Sequence, residues 1–141
     1  MTERAGEIYG KVHRLAVRVY YEDTDFSGAV YHANYLKFCE RGRSDCLRLL
    51  GVHHHELFDE GQGFVVRRME CDFRAPARID DMLMVETRFI EARGARILID
   101  QRMLRGEDRL FDAIVTVALT TSEGKPLRLP KALVEKLEPM I

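Results

Sequence analysis

Three carboxylates lie close together in this chain, at Glu22, Asp23 and Asp25, and His32 follows shortly after them. A carboxylate can attack a carbonyl carbon directly, or it can activate a water molecule as a general base. A helical pattern begins near His32, and the free N–H groups of a helix start stabilise an anion or a developing oxyanion. Acids ahead of a helix often serve only to cap it, so the cluster taken alone favours capping over chemistry.

The helix is predicted from apolar and small residues that recur at steps of three and four, the pattern of one buried face. The residues of this face are Tyr31, Tyr35, Phe38, Cys39, Gly42, Cys46, Leu49 and Leu50. The opposite, polar face comprises Lys37, Arg41, Ser44, Asp45 and Arg48. Such a helix is roughly 30 Å long. Gly42 lets another backbone approach closely, and Gly51 provides a C-terminal stop.

Five strands are predicted around this helix. His13–Tyr21 alternates between apolar and polar residues, as a half-buried strand does. Its inner face comprises Leu15, Val17, Val19 and Tyr21. Four strands joined mostly by short turns follow the helix, and a short helix follows Pro130. These strands span residues 64–74, 83–90, 95–104 and 110–121. One long helix can cover only one face of such a sheet. The order of the elements, a strand, a long helix and then four strands, therefore predicts an α+β fold with an antiparallel sheet.

Two segments are predicted to lack regular structure. Residues 1–11 are predicted as a loose lead-in, and residues 51–63 as a solvated connector. The connector contains His53, His54 and His55, but adjacent side chains do not converge easily on one ion. No acid-rich or cysteine partner has ligand spacing around them, so no metal site is predicted.

Composition limits the function further. A chain of 141 residues is enough for a single domain over 1–141, and a net charge of −1 argues against a general nucleic-acid or anionic-membrane binder. No apolar run approaches the ~20 residues of a membrane span, and residues 1–10 lack the apolar core of a signal peptide. Three cysteines without paired spacing fit a reducing compartment, so we expect a cytoplasmic protein. Cys39 and Cys46 fall on the buried helical face and are expected to pack in the core.

The span from Tyr21 to Glu40 resembles the signature of the 4-hydroxybenzoyl-CoA thioesterase family of hotdog-fold proteins. The matching pattern is Tyr21-x-x-Asp-Thr-Asp25-x-x-Gly28-x-Val-Tyr-His32-x-Asn34-Tyr35-x-x-Phe38-x-Glu40. It is similar to the branch associated with the bacterial Tol–Pal envelope system, and further similarity runs through residues 73–81 to the last strand. The resemblance implies a sheet wrapped around one long central helix, and an acyl-CoA thioesterase that uses no metal or cofactor.

The resemblance also implies catalytic roles. Asp25 would be the nucleophile or the general base, and the backbone amide of His32 would hold the carbonyl oxygen. The His32 side chain would orient water or the substrate, and the hydroxyl of Tyr21 would order the site. Gly28 leaves room for the chain to turn and for the thioester to approach. The chain has no Gly-x-Ser-x-Gly motif, so a serine-triad mechanism of the α/β-hydrolase type is not expected.

The resemblance extends to the substrate. Coenzyme A carries phosphates, which basic side chains bind. Arg93 falls in the turn that matches the family's nucleotide-contacting turn. The family has more consecutive basic residues there, whereas this chain has Arg93-Gly-Ala-Arg96, so Arg96 is expected to substitute. Phe64 and Val65 are the candidates for an apolar acyl slot, reaching across a dimer.

The resemblance implies a homodimer and often a tetramer, and the apolar residues on both faces of the last strand fit burial on two sides.

Glu40 is the alternative to Asp25 as the catalytic carboxylate, since other hotdog branches use an acid on the helix, but an ion pair with Arg41 or Arg43 is expected for it. Asp23 is expected to cap, and Asn34 to fix the turn through backbone hydrogen bonds. Alternatives to an acyl-CoA thioesterase are an acyl-carrier-protein thioesterase and a non-catalytic acyl-binding or scaffold protein.

Overall fold

The computed structural model describes residues 5–141. Its elements in chain order are β1 (Glu7–Tyr9), β2 (Val12–Arg18), α1 (His32–Leu49), α2 (His54–Asp59), β3 (Gln62–Phe73), β4 (Met82–Arg93), β5 (Arg96–Arg105), β6 (Asp108–Thr121) and α3 (Lys131–Leu137). Single turns of 3₁₀ helix lie at Tyr21–Asp23 and Glu138–Met140. The strands form one antiparallel sheet in the order β1-β2-β4-β5-β6-β3. The predicted α+β class and antiparallel sheet are confirmed.

Helix α1 packs on one face of the sheet, chiefly against β4 and β2. Alternate residues of the strands point to this face and are buried, among them Leu83, Val85, Ile99 and Val115. Gly42 lets side chains of the sheet approach the helix closely, because a Cβ atom there would be only 2.9 Å from Val85 Cγ1. The neighbours are side chains, so the predicted approach of another backbone is wrong.

A buried polar network fixes the position of α1 on the sheet. Gln101 of β5 donates through Nε2 to the carbonyl oxygen of Cys39 and to Thr87 Oγ1, both at 2.9 Å. Its Oε1 accepts a hydrogen bond from Arg43 Nη1 at 3.0 Å. Buried polar groups stabilise one arrangement when they are paired and cost free energy when they are not. The network therefore holds the helix, and with it the helix start, in one register.

Strand β3 forms a free edge of the sheet. It pairs with β6 along its length, with a bulge between Val66 and Arg68 that leaves Arg67 unpaired. Val65, Val66 and Phe73 are all about half exposed on this strand. A long, apolar edge strand is prone to pair with another strand, so monomeric proteins usually protect it.

Two expectations near the N-terminus are wrong. The part of the predicted lead-in at Glu7–Tyr9 forms β1, which pairs with β2. Tyr21 does not continue the inner face of a strand, because β2 ends at Arg18 and Tyr21 lies in the 3₁₀ turn with 81% of its surface exposed. Val19 still follows the alternation, since it is fully buried and its N–H donates to the Asp81 oxygen before β4 at 2.9 Å. The 3₁₀ turn that begins at Tyr21 ends the alternation.

The helical faces also differ in part from the prediction. Asp45, assigned to the polar face, is buried and pairs with the fully buried His13 through Nε2 at 2.7 Å. Spacing alone could not indicate this, because the hydrogen-bond partner of the carboxylate lies on another element. Tyr31 and Leu49, assigned to the buried face, are 44% and 45% exposed. Tyr31 precedes the helix with an extended backbone, so its side chain does not follow the helical periodicity.

The connector over residues 51–63 is not a simple loop, since it contains α2. None of the residues of α2 is buried, so the predicted solvent exposure is correct although the predicted lack of structure is not. Within residues 5–141, no helix is both long and apolar enough to cross a membrane.

Candidate active site

Residues 24–30 form a tight hairpin between the first 3₁₀ turn and α1, which we call the reactive turn. Thr24 and Val30 pair as an isolated antiparallel bridge at its base. Gly28 closes it by donating its N–H to the carbonyl oxygen of Asp25 at 3.0 Å. Gly28 has a φ of +83°, which side-chain-bearing residues rarely adopt. The glycine is therefore required by the turn that presents Asp25.

The side chain of Asp25 is exposed on this turn. Its Oδ1 accepts hydrogen bonds from Ser27 N at 2.8 Å and from Ser27 Oγ at 2.5 Å, whereas its Oδ2 has no partner in the part of the chain that the structure describes. The bond from the Ser27 hydroxyl, then that from its amide, holds the pKa of Asp25 below its ordinary value of 3.8, and nearby His32 acts in the same direction. Asp25 is therefore ionised at neutral pH and keeps one oxygen free.

Asp23 differs from Asp25 in that it is buried, with 5% of its surface exposed. Its Oδ2 accepts from the Tyr20 amide at 2.8 Å, and its Oδ1 accepts from Asn34 Nδ2 at 3.0 Å. Its backbone oxygen also accepts from the Tyr31 amide at 2.9 Å. The prediction that Asp23 is a turn or capping acid is confirmed. Asn34 fixes the turn through this carboxylate rather than through the backbone, which corrects the prediction.

His32 is the first residue of α1, directly after the reactive turn. Neither its amide nor that of Ala33 has a hydrogen-bond acceptor among residues 5–141. Two free N–H groups at the start of an 18-residue helix form an electropositive position beside the turn. The imidazole of His32 is exposed and packs against Tyr31 and Phe73, with ring centroids 4.5 Å and 6.4 Å apart.

An aromatic cluster lies next to this helix start. Tyr35 stacks on Phe111 with ring centroids 5.1 Å apart, and Phe73 meets both rings edge to face at 5.5 Å and 5.1 Å. Tyr35 and Phe111 are buried, whereas Phe73 is 48% exposed. The cluster therefore forms an apolar surface with one open side close to His32.

Tyr21 lies on the 3₁₀ turn just before the reactive turn, and its hydroxyl makes no hydrogen bond within residues 5–141. Phe26, at the tip of the reactive turn, is fully exposed. The structure thus brings Asp25, Gly28 and His32 into one small region. Tyr21 lies at the edge of this region.

The predicted nucleotide-binding residues lie together in a second region. Arg93 and Arg96 pair across the β4–β5 hairpin and line a groove of about 620 Å³ together with Val65 and Arg67, which we call the arginine groove. The side chain of Arg93 is 83% exposed, and its ion pair with Glu91 is long, at 4.0 Å. Three arginines therefore line the groove where the sequence predicted two.

The two residues predicted to line an acyl slot lie on opposite faces of the sheet. Phe64 opposes Leu119 and packs against the core, whereas Val65 opposes Ala118 and lines the arginine groove. Successive residues of a strand point to opposite faces, so Phe64 and Val65 of one chain cannot line the same slot. An acyl slot that uses both residues would therefore need two chains, and the predicted slot across a dimer stays a prediction.

The reactive turn and the arginine groove lie at opposite ends of the sheet. Phe73 and its partner Phe111 mark the end near the turn, and Arg96 and its partner Ala118 mark the end near the groove. At ~3.4 Å per residue, β6 rises roughly 24 Å between Phe111 and Ala118. Within one chain, Asp25 is therefore separated from these arginines by most of the length of the sheet.

Glu40, the rival carboxylate, accepts a hydrogen bond from Ser44 Oγ at 2.5 Å. Among the described residues it forms no ion pair with Arg41 or Arg43, and Arg43 bonds to Gln101 instead, so the predicted ion pair is wrong. Glu40 lies on α1 away from the helix start, where no free backbone amide faces it.

The cysteines of α1 do not supply a nucleophile. Cys39 and Cys46 are fully buried, and burial raises the pKa of each thiol to about 12. A thiol with such a pKa carries almost no thiolate at neutral pH. The predicted role of both residues in the core is confirmed.

Sequence reasoning missed two residues at these sites. Ser27 donates to the Asp25 carboxylate, and a serine two residues after an aspartate is a turn pattern that could have indicated this contact. Arg67 enters the arginine groove because of the bulge in β3, which no local pattern reveals.

Comparison with known proteins now identifies the family. The profile of the thioesterase superfamily matches residues 27–112, which is more than half of the chain and includes Gly28, α1 and most of the sheet. The chain belongs to the thioesterase superfamily. It is 41% identical over 131 residues to the acyl-CoA thioester hydrolase YbgC of Escherichia coli, covering 89% of this chain and 95% of that protein.

Two further relatives of this superfamily member extend the comparison. The acyl-CoA thioesterase YbgC of Haemophilus influenzae is 47% identical over 117 residues, covering 82% of this chain and 86% of that protein. The crystal structure of a probable thioesterase from Bartonella henselae superposes with a TM-score of 0.81 at 48% identity, covering 84% of this chain and 99% of that one. Both the sequence and the fold are thus shared with thioesterases over nearly the full length of those proteins.

Proposed function

We propose that this superfamily member hydrolyses the thioester of acyl-CoA to a free acid and CoA, with Asp25 as the reactive carboxylate. The observation that carries the proposal is the exposed, ionised Asp25, whose free Oδ2 lies on a turn that leads directly into the unpaired amides of a helix start. Relatives that are 41% and 47% identical are named acyl-CoA thioester hydrolase and acyl-CoA thioesterase.

Asp25 can open the thioester in two ways. As a nucleophile, its Oδ2 attacks the carbonyl carbon, the CoA thiolate leaves, and water then hydrolyses the resulting anhydride. As a general base, it takes a proton from a water molecule that attacks the carbonyl, and the thiolate leaves from the tetrahedral intermediate. Both routes need an ionised carboxylate, which the hydrogen bonds from Ser27 favour.

The carbonyl oxygen becomes an oxyanion in either route. The His32 amide would donate to it, aided by the dipole of α1, and such a donor typically contributes about 3 kcal/mol to the transition state. The exposed imidazole of His32 would orient water or the substrate. The hydroxyl of Tyr21, which has no partner within residues 5–141, would order the same region once substrate covers it.

The arginine groove would bind the phosphates of CoA, because guanidinium groups match phosphate oxygens in charge and geometry. Arg93 and Arg96 are the predicted contacts, and Arg67 joins them. The groove of the same chain lies roughly 24 Å from the end of the sheet that carries Asp25, by the strand rise given above. A second copy of the chain would supply the groove at a shorter distance.

We propose that two chains pair through the free edge of β3. In an antiparallel pair related by a two-fold axis, the Val65 end of one β3 lies beside the Phe73 end of the other. The partner's arginine groove would then approach this chain's reactive turn. The exposed apolar residues of this edge support the pairing.

Other implications of the family resemblance stay predictions. They are the wrapping of the sheet around α1 as a central helix, the tetramer, the Tol–Pal branch and the cytoplasmic location. The basic groove also fits an acidic acyl-carrier protein as the donor of the acyl group, which makes such a thioesterase the second candidate. Side-by-side assays with the same acyl group on CoA and on carrier protein would discriminate the two donors.

The first test compares Asp25→Asn with Glu40→Gln, a matched change of another exposed carboxylate. Release of free CoA is measured with short-chain, long-chain and aromatic acyl-CoAs. We expect Asp25→Asn to lower kcat by about 10² to 10⁴, the usual contribution of a catalytic acid or base, and Glu40→Gln to leave it near the wild-type value. Full activity of Asp25→Asn would overturn the assignment, and no turnover by the wild type on any chain would favour a non-catalytic binder.

The second test asks whether one site draws on two chains. Asp25→Asn and the double variant Arg93→Ala/Arg96→Ala are mixed, dissociated and reassembled, with substrate below its KM. A mixed dimer contains one site with both an intact Asp25 and intact partner arginines, so we expect recovery to about a quarter of the wild-type rate. A rate that stays at the average of the two parent variants would show that each chain uses its own arginines.

A further inference from the structure

The segment 77–81, between β3 and β4, contacts the reactive turn, α1, β5 and the end of β2; we call it the brace. We infer that Asp81 is a positioning residue for the hydrolysis, because its carboxylate closes the brace that holds the reactive turn. The inference rests on the proposed role of the turn, and it concerns a group that touches neither the thioester nor Asp25.

The brace is bonded directly to the reactive turn. The Val30 amide donates to the Ala77 oxygen at 2.8 Å, and Ala29 and Arg78 pair as an antiparallel bridge. These contacts are made to the strand of the hairpin that leads into α1. A displacement of the brace therefore moves the turn relative to the amides of the helix start.

The brace is also fixed to the core. The Ala77 amide donates to the hydroxyl of Tyr35 at 3.0 Å, and Ala77 and Tyr35 are both buried. At the other end, Asp80 N–H donates to the Val19 oxygen and Val19 N–H donates to the Asp81 oxygen, both at 2.9 Å. The brace thus joins α1, through Tyr35, to the strand that precedes the reactive turn.

Asp81 holds this segment in its turned shape. Its Oδ2 accepts from the Arg78 amide and from Arg105 Nη1, both at 2.9 Å, and its own amide donates to the Arg78 oxygen at 3.1 Å. Asp80, inside the turn, has a φ of +70°, an unfavourable conformation for a residue with a side chain. Such strain persists only where the surrounding contacts enforce it.

The groups around Asp81 keep its carboxylate ionised, so that both of its hydrogen-bond donors stay bound. Partial burial raises the pKa of Asp81, but the hydrogen bond from the Arg78 amide and then that from Arg105 outweigh it, so the pKa lies below 3.8. The backbone oxygen of Asp80 also accepts from Arg18 Nη1 at 2.7 Å. The carboxylate is thus charged across the pH range in which a thioesterase is assayed, and its two donors stay engaged.

The experiment compares Asp81→Ala with Asp112→Ala. Asp112 is the control because it also accepts two hydrogen bonds, from the side chains of Arg74 and Arg109, is similarly exposed, and within residues 5–141 bonds no residue of the brace. The assay is release of CoA by the full chain, with kcat and KM determined separately. We expect Asp81→Ala to lower kcat by about ten- to a hundredfold with KM changed less than about threefold, since small displacements of reacting groups cost this much. Asp112→Ala should keep kcat within about twofold of the wild type.

A second pair of variants separates positioning from loss of fold. Arg105→Lys keeps a charged donor for Asp81, whereas Arg105→Gln does not keep the charge, so we expect the lysine variant to recover most of the lost kcat. Hydrogen exchange gives a readout that does not depend on activity. The Val30 amide should exchange at least about tenfold faster in Asp81→Ala than in Asp112→Ala, because local opening becomes easier.

These measurements test whether Asp81 positions the reactive turn. A normal kcat in Asp81→Ala, or an equal fall in Asp112→Ala, overturns the inference, as does an unchanged exchange rate at Val30. If the wild type released no CoA, the proposed function would fail, and the exchange of the Val30 amide alone would then show whether Asp81 positions the turn.

Discussion

Asp23 and Asp25 lie two positions apart, and the structure gives them opposite tasks, which a single substitution at each should separate. Asp23→Asn replaces a buried carboxylate whose two oxygens accept from the Tyr20 amide and Asn34 Nδ2. The new amide group has one oxygen and one NH₂, so one of these donors must face another donor. Asp25→Asn changes a carboxylate that is exposed and bonds only to Ser27 within the described chain.

The expected cost of Asp23→Asn follows from these contacts. A hydrogen bond to a charged group contributes about 1.5–3 kcal/mol, and a buried donor left unsatisfied costs about 1–3 kcal/mol. The Tyr20 amide is close to solvent and can find water, whereas Asn34 is only 8% exposed. We therefore expect the free energy of unfolding to fall by about 2 kcal/mol, a decrease in Tm of about 8 °C for a chain of this size.

The assay is thermal unfolding followed by circular dichroism at one fixed protein concentration, together with CoA release by both variants. Asp25→Asn should keep its Tm within about 2 °C of the wild type while its kcat falls, because the exposed side chain makes few contacts. Asp23→Asn should instead show a clear fall in Tm. Equal Tm values for the two variants would refute the division of roles between these acids.

Three other changes have expected outcomes. Because hydrogen bonds from Ser27 lower the pKa of Asp25, the acid limb of kcat/KM should lie below pH 3.8, and Ser27→Ala should move it upward toward 3.8, as a pH–rate profile would show. Gly42→Ala places a Cβ 2.9 Å from Val85 Cγ1 and should lower the free energy of unfolding by about 1–3 kcal/mol in urea. His13→Ala removes the contact between His13 Nε2 and the buried carboxylate of Asp45, which keeps the Gly6 amide as a donor, and should cost about 2–3 kcal/mol by the same measurement; a cost below 1 kcal/mol in either variant would contradict the packing described here.

Local patterns predicted most of the secondary structure. Helix α1 was predicted within one or two residues of its bounds, because its buried face repeats at helical spacing over many turns. The turn before α1 was predicted from the acids that precede a helix start, whereas Asp25 was chosen among them through the family resemblance, and its role stays a prediction. Tyr21 was misplaced because the chain enters a 3₁₀ turn at this residue, where the Asp23 carboxylate accepts from the Tyr20 amide, and such a bond is not visible in the alternation.

The sequence by itself determined that Asp25 lies just before a helix start, because the strand, the tight turn and the helix follow one another directly along the chain. Only the tertiary structure decided what lies far along the chain but close in space. The pairing of His13 with Asp45, the place of Arg67 in the arginine groove and the closing of the brace by Arg105 all join residues on different elements. Such contacts depend on sheet register and on a bulge, and neither leaves a periodic signal in the residues concerned.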